Sequence, residues 1–156
     1  MQPKIILIDF DGTCVTHDFP KIGKEIGAAK VLKELTDKGH QLILFTMRSD
    51  IVNPTGEDNE LHLVSGNYLT EAVNWFKQHD IPLYGIQTNP TQHTWTTSPK
   101  AYGHLIIDDS ALGVPLIVHH FEEEDYENKE NSLPYSKRPY VDWEEVRHLL
   151  KRKNYL

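Results

Sequence analysis

The chain has 156 residues, 25% of them charged and 38% hydrophobic, and a net charge of −7. Those values suit one globular domain of about the commonest size. They argue against a nucleic-acid backbone as partner, which calls for a basic patch, but leave room for a small phosphorylated substrate whose charge a metal offsets. No apolar stretch approaches the roughly 20 residues of a membrane span, and no leader pattern precedes one. Cys14 is the only cysteine, so no intrachain disulfide is expected, and the chain reads as cytoplasmic.

Residues 5–13 read Ile-Ile-Leu-Ile-Asp-Phe-Asp-Gly-Thr. Four aliphatics in a row predict a strand over 4–9 buried on both faces, as in a parallel sheet. The run ends in Asp9 and Asp11, at the C-terminal edge where open α/β folds hold their ligands. Gly12 permits a sharp turn that aims both carboxylates at one point. Two such charges repel, so the pattern asks for a cation, and oxygen ligands suit Mg²⁺. Cys14 beside them reads as a small buried hydrophobe rather than a nucleophile. A loop over 12–24 follows, then a helix over about 25–38. Ile26, Ala29, Val31, Leu32 and Leu35 form its stripe, and Gly39 ends it.

Gln41-Leu-Ile-Leu-Phe-Thr46 is a second apolar strand with a polar end, followed by Arg48 and Ser49. The connection 49–66 has a length that in compact domains marks function or disorder, and a miniature lid is one expectation for it. A helix over about 67–79 carries Leu69, Ala72, Val73, Trp75 and Phe76 on or near one face. The third strand is Leu83–Gln87, and the fourth is Leu105-Ile-Ile-Asp108. Between them lie His93, Trp95, Thr96 and Lys100; the indole suits packing over the sheet edge and stacking a ligand ring equally well. Asp109 follows, with a short fifth strand near 115–118. The run Glu122–Asp125 reads as a solvated acidic loop, and its neighbours His119 and His120 are not read as a transition-metal site. Asp142-Trp-Glu-Glu145 is a capping box opening a helix through about Leu150, docked by Trp143, Val146, Leu149 and Leu150. Strands alternating with helices predict one α/β domain over 1–156. Its expected architecture is three-layered, with a doubly wound, Rossmann-like parallel sheet and right-handed crossovers.

Asp9 and Asp11, Thr46 with Arg48 and Ser49, Lys100, and Asp108 with Asp109 all fall at strand ends or in loops on one expected edge. Each alone has an ordinary reading as a turn, surface or capping residue. Phosphoryl transfer through a covalent carboxylate needs the set together. It takes a nucleophile, an acid/base, a divalent metal on further carboxylates, and hydroxyl and ammonium donors.

In that order, Asp9-Phe-Asp-Gly-Thr13, Leu42-Ile-Leu-Phe-Thr46, Lys100 and Leu105-Ile-Ile-Asp-Asp109 resemble the four motifs of the haloacid dehalogenase-like phosphohydrolase superfamily. The resemblance spans about residues 4–118. It implies that Asp9 is the nucleophile of an aspartyl-phosphate, and that Asp11 protonates the leaving group and then activates water. Asp9, the Asp11 main-chain carbonyl, Asp108 and Asp109 would hold Mg²⁺. Thr46 would bond a phosphoryl oxygen and Lys100 would offset charge. An aspartate at position 11 favours phosphatase over dehalogenase chemistry. Gly12 and Arg48 complete the expected substrate-binding set, with the planar Arg48 guanidinium clamping a second anionic group. His17 and Asp18 lie where a flap would meet the leaving group, although for His17 a solvated or core reading leads.

Neither residues 14–45 nor 47–99 leave room for a folded cap, so a minimal, capless member is expected. Its open site would take a phosphorylated substrate, a small molecule before a macromolecule, under short loops or a cover from a second copy. Two other functions compete. A phospho-receiver would place its acceptor after the third strand, which here ends at Gln87-Thr88 without an aspartate. A weak or inactive domain that binds only metal or a partner fits less well with a full complement of acids, Thr46 and Lys100.

Overall fold

The computed structural model describes residues 2–51, 65–118 and 138–156. Its centre is a parallel four-stranded sheet of β1 (Ile5–Ile8), β2 (Gln41–Leu44), β5 (Leu83–Ile86) and β6 (Leu105–Ile107), in the order β5-β2-β1-β6. The chain steps outward from β1 to β2 to β5, then returns to pair β6 with the free side of β1. That reversal makes the β1/β6 crevice a topological switch point, where ligands of open α/β sheets bind. Asp9 continues the pairing one step beyond β1, its N–H donating to the Ile107 carbonyl at 3.0 Å. The α/β class with a Rossmann-like parallel sheet therefore holds.

The helices are α1 (Ala28–Asp37), α2 (Tyr68–Gln78) and α3 (Trp143–Arg152). Each follows the periodicity read from its sequence, except that α1 begins only after Gly27 (φ 97°), so Ile26 of the expected stripe precedes the helix. Gly39 (φ 87°) closes the end of α1, donating to the Thr36 carbonyl. At α3 the Asp142 carboxylate accepts from the N–H groups of Glu144 and Glu145, the N-cap half of the expected capping box; the Asp142 N–H donates to the Pro115 carbonyl at 2.9 Å instead of to Glu145. No helix among the described residues is long and apolar enough to cross a membrane.

All three helices pack on one face of the sheet. Leu32, Leu35, Ala72, Phe76, Val146 and Leu150 share a core with Ile6, Ile8, Leu42 and Leu44. On the other face, among the described residues, Leu7 and Ile43 form a smaller apolar cluster with Ala101, Ile5 and Tyr84. Among the described residues, the second helical layer of a doubly wound fold is replaced by the crossover 87–104, which holds one 3₁₀ turn, Gln92–Thr94. Pro90 and Pro99 each lack an N–H, and buried side-chain amides take over the bonding there. Gln92 donates to the carbonyls of Ser98 and Lys100 and accepts from Tyr102 N–H, while Asn89 accepts from Thr91 N–H. The fifth strand is also placed differently from expectation. β7 (Leu116–Ile117) pairs antiparallel with β8 (Tyr140–Val141), away from the main sheet. The ends of 49–66 close as a two-residue ladder, β3 (Asp50–Ile51) with β4 (Gly66–Asn67). The lid expected of that loop, and the acidic run Glu122–Asp125 with His119 and His120, lie outside the described residues.

Candidate functional site

Thr13 sits at the centre of the switch-point crevice and is fully buried. Its hydroxyl donates to Asp9 Oδ2 at 2.9 Å and accepts from the Asp109 N–H at 3.0 Å, bridging the ends of β1 and β6. The turn before it depends on Gly12, whose φ of 77° lies in the left-handed region. A Cβ there would stand 2.1 Å from His17 Nε2 and 2.8 Å from Asp109 Oδ2. His17 fills that space, is 8% exposed, and bonds Asp109 Oδ2 through Nε2 at 3.0 Å. The C-terminal segment clamps the same turn from behind. Val141 N–H donates to the Gly12 carbonyl at 2.9 Å and Trp143 Nε1–H to the Thr13 carbonyl at 2.6 Å.

Asp9, Asp108 and Asp109 each offer a carboxylate oxygen, and the three lie within 4.8 Å of one another. Burial pushes the Asp9 carboxyl from its ordinary 3.8 up to about 7; the Asp108 and Asp109 charges add to the rise, against the Phe10 N–H and the Thr13 hydroxyl. For Asp109 burial also works upward, but the hydrogen bond and charge of His17, the Asp9 hydrogen bond and the Arg138 charge together hold the carboxyl below the usual range. Asp108 Oδ1 accepts from Ser110 N–H and Oγ–H, which fixes its rotamer. Crowded, hard, anionic oxygens of this kind fit Mg²⁺. The Cys14 thiol is wholly buried, and burial, then the charges of Asp9, Glu25 and Asp11, push it well up. It packs as a small hydrophobe and donates to the Asp9 carbonyl.

Asp11 and Arg48 meet face to face. Arg48 Nε and Nη2 donate to Asp11 Oδ2 and Oδ1, both at 2.7 Å. Next to them Thr46 Oγ1 accepts the Arg48 N–H at 3.2 Å, which leaves its own proton for another acceptor. Gln87, in the left-handed region at φ 63°, accepts from Thr46 N–H and donates to the Thr46 and Arg48 carbonyls. That side chain holds the loop after β2 in place, and its only sequence signal is a polar residue ending an apolar strand. The Arg48 guanidinium is buried rather than turned toward an open pocket, which departs from the expected substrate clamp.

Lys100 lies on the helix-free face. With Leu7, Trp95, Tyr102 and Ile106 it lines a cavity of about 340 Å³. By strand alternation Leu7 shares its face with Asp9, and Ile106 with Asp108. The bonds that fix Lys100 are those of its backbone, N–H to Ser98 Oγ and the carbonyl to Gln92. Trp95 is 63% exposed and meets Tyr102 edge-on at 5.5 Å. Asp18 is exposed. Asp9, Thr13, Asp108 and Asp109 thus converge with Gly12 and His17, Arg48 joins Asp11 to Thr46, and Lys100 lines the cavity of the helix-free face.

Neither a family model nor a curated protein matches this sequence. Among solved structures, a conserved protein of Bacteroides thetaiotaomicron is 27% identical over 97% of this chain and 93% of its own length. The TM-score is 0.63, so the likeness covers the whole fold.

Proposed function

We propose that the chain is an Mg²⁺-dependent phosphomonoester hydrolase of the haloacid dehalogenase-like type, acting through an aspartyl-phosphate on Asp9. The observation that carries this reading is the convergence of Asp9, Asp108 and Asp109 oxygens within 4.8 Å at the β1/β6 crevice. Together with the Asp11 main-chain carbonyl they would hold the metal. When bound, Mg²⁺ would offset the charge of the carboxylates and of the phosphoryl oxygens. Asp9 then attacks phosphorus; an Asp9–phosphorus bond forms as the ester P–O bond breaks, and Asp11 gives its proton to the departing oxygen. In the second half Asp11 takes a proton from water, whose oxygen bonds phosphorus as the Asp9–phosphorus bond breaks. Thr46 has a hydroxyl proton to give a phosphoryl oxygen. Lys100, on a flexible four-carbon stem beside Leu7, supplies a mobile cation from the open face. The crevice with no cap domain among the described residues suits a small phosphorylated molecule held by short loops.

A screen of phosphorylated metabolites with Mg²⁺, run beside Asp9→Asn, tests the reading. Turnover by the wild type should fall by about 10³-fold or more in Asp9→Asn. Asp11→Asn should let the aspartyl-phosphate build up, visible as acid-stable ³²P on the protein. Equal turnover by wild type and Asp9→Asn would sink the nucleophile, and with it the proposal.

A further inference from the structure

Arg48 is the most heavily committed side chain in the described structure. It is 2% exposed. A guanidinium has five N–H donors in a fixed fork, and all five have acceptors. Nε–H and one Nη2–H go to the two oxygens of Asp11, and the second Nη2–H goes to the Lys21 carbonyl at 2.7 Å. The two Nη1–H groups reach the carbonyls of Pro20 at 3.2 Å and Tyr68 at 3.4 Å. The Phe10 and Phe19 rings stack on it, with centroids 5.1 and 5.0 Å from Cζ. No donor remains for a substrate oxyanion. Among Arg48's partners only Asp11 has chemistry to perform, and the bidentate pair fixes the plane of that carboxylate. Two of its roughly four lone-pair positions stay open, and 19% of its side chain remains exposed.

We infer that Arg48 is a positioning residue: it sets the orientation of the Asp11 carboxylate and ties the 18–21 segment to it. The inference rests on the phosphatase reading above and deepens it. Lysine keeps the charge but lacks the fork, so Arg48→Lys leaves Asp11 free to rotate. A misplaced proton donor harms esters in proportion to how much their leaving group needs a proton. A dinitrophenolate departs without one, whereas a propyl alkoxide does not.

The test is single-turnover leaving-group release from dinitrophenyl, phenyl and propyl phosphates with Mg²⁺. The proteins compared are wild type, Arg48→Lys, Asp11→Asn, the double variant and Asp9→Asn. Arg48→Lys should raise the dinitrophenyl-to-propyl rate ratio by about tenfold to 10²-fold, a part of the 10²–10⁴ that a general acid supplies. In the Asp11→Asn background the same substitution should leave that ratio where Asp11→Asn alone sets it, because the two act as a unit. Phe19→Leu, which keeps the guanidinium but removes one stacking ring, should shift the ratio the same way by a smaller factor; it serves if Arg48→Lys does not fold. An equal loss on all three esters, or an unchanged ratio, overturns the positioning role while an inactive Asp9→Asn keeps the phosphatase reading. Release by Asp9→Asn at the wild-type rate, or none by the wild type, overturns both.

Discussion

Thr13 carries more of the site's geometry than its size suggests. Its hydroxyl bonds both halves of the crevice, donating to Asp9 and accepting from the Asp109 N–H. Valine keeps its shape but removes both bonds and leaves the partly buried Asp109 N–H without its partner, at a cost of about 1–3 kcal/mol. Thr13→Val should therefore lower the unfolding free energy read from urea melts by that amount, with a lower midpoint, and weaken Mg²⁺ binding measured by calorimetry. A midpoint within error of wild type would show that the bridge is not the joint. The paired aspartates, Thr46 and Asp108–Asp109 were legible because each closes an apolar strand with a polar residue, a pattern that local sequence fixes. Arg48 was legible as a charge in the right place but not in its occupation. Its partners Pro20 and Lys21 come from a loop without periodicity, so nothing in the sequence foretold that they fold back onto the guanidinium.

Among the elements, α3 reaches furthest into the chemistry. Its first residue, Trp143, is 3% exposed, and its indole N–H holds the Thr13 carbonyl at 2.6 Å. Trp143→Phe keeps an aromatic plug but drops that bond, and should cost about 1 kcal/mol or more in stability. Asp142→Ala removes the N-cap of the same helix at a similar cost of about 1 kcal/mol. The two variants should part in activity: turnover falls in Trp143→Phe, where the 12–13 turn loosens, and is kept in Asp142→Ala. Urea melts paired with kinetics on one substrate decide it, and parallel losses would mean that α3 acts only through stability. α1, α2 and α3 were readable from a 3.6-residue stripe and from Gly39 and Asp142 at their ends. The crossover 87–104 was not. Its order comes from the side-chain amides of Gln92 and Asn89 bonding backbone groups up to thirteen residues away, which leaves no period in the sequence.

At the scale of the whole molecule, the site sets how stability responds to pH and metal. Asp9 is raised from 3.8 to about 7, chiefly by burial. A carboxyl raised on folding favours the folded state fully below its unfolded value, and that contribution is lost as pH climbs through the folded value. On Asp9's account the metal-free protein should lose stability between about pH 4 and pH 7. Asp109 is held below its ordinary value, so its contribution runs the other way and fades only as the pH falls below about 4, which leaves the Asp9 window clear. On the proposed reading Mg²⁺ would need Asp9 ionised, so its binding would drive off the proton that Asp9 still holds. Near pH 6 calorimetric titrations in two buffers of different ionisation enthalpy should report a proton released per Mg²⁺ bound, falling toward none by about pH 8.5. The thermal gain from Mg²⁺ should grow over the same interval, because metal affinity rises as Asp9 ionises. Asp9→Asn should abolish the proton release while Asp108 and Asp109 still bind metal weakly. A release that stays flat across this range in the wild type would place the displaced proton elsewhere and detach Asp9 from the metal.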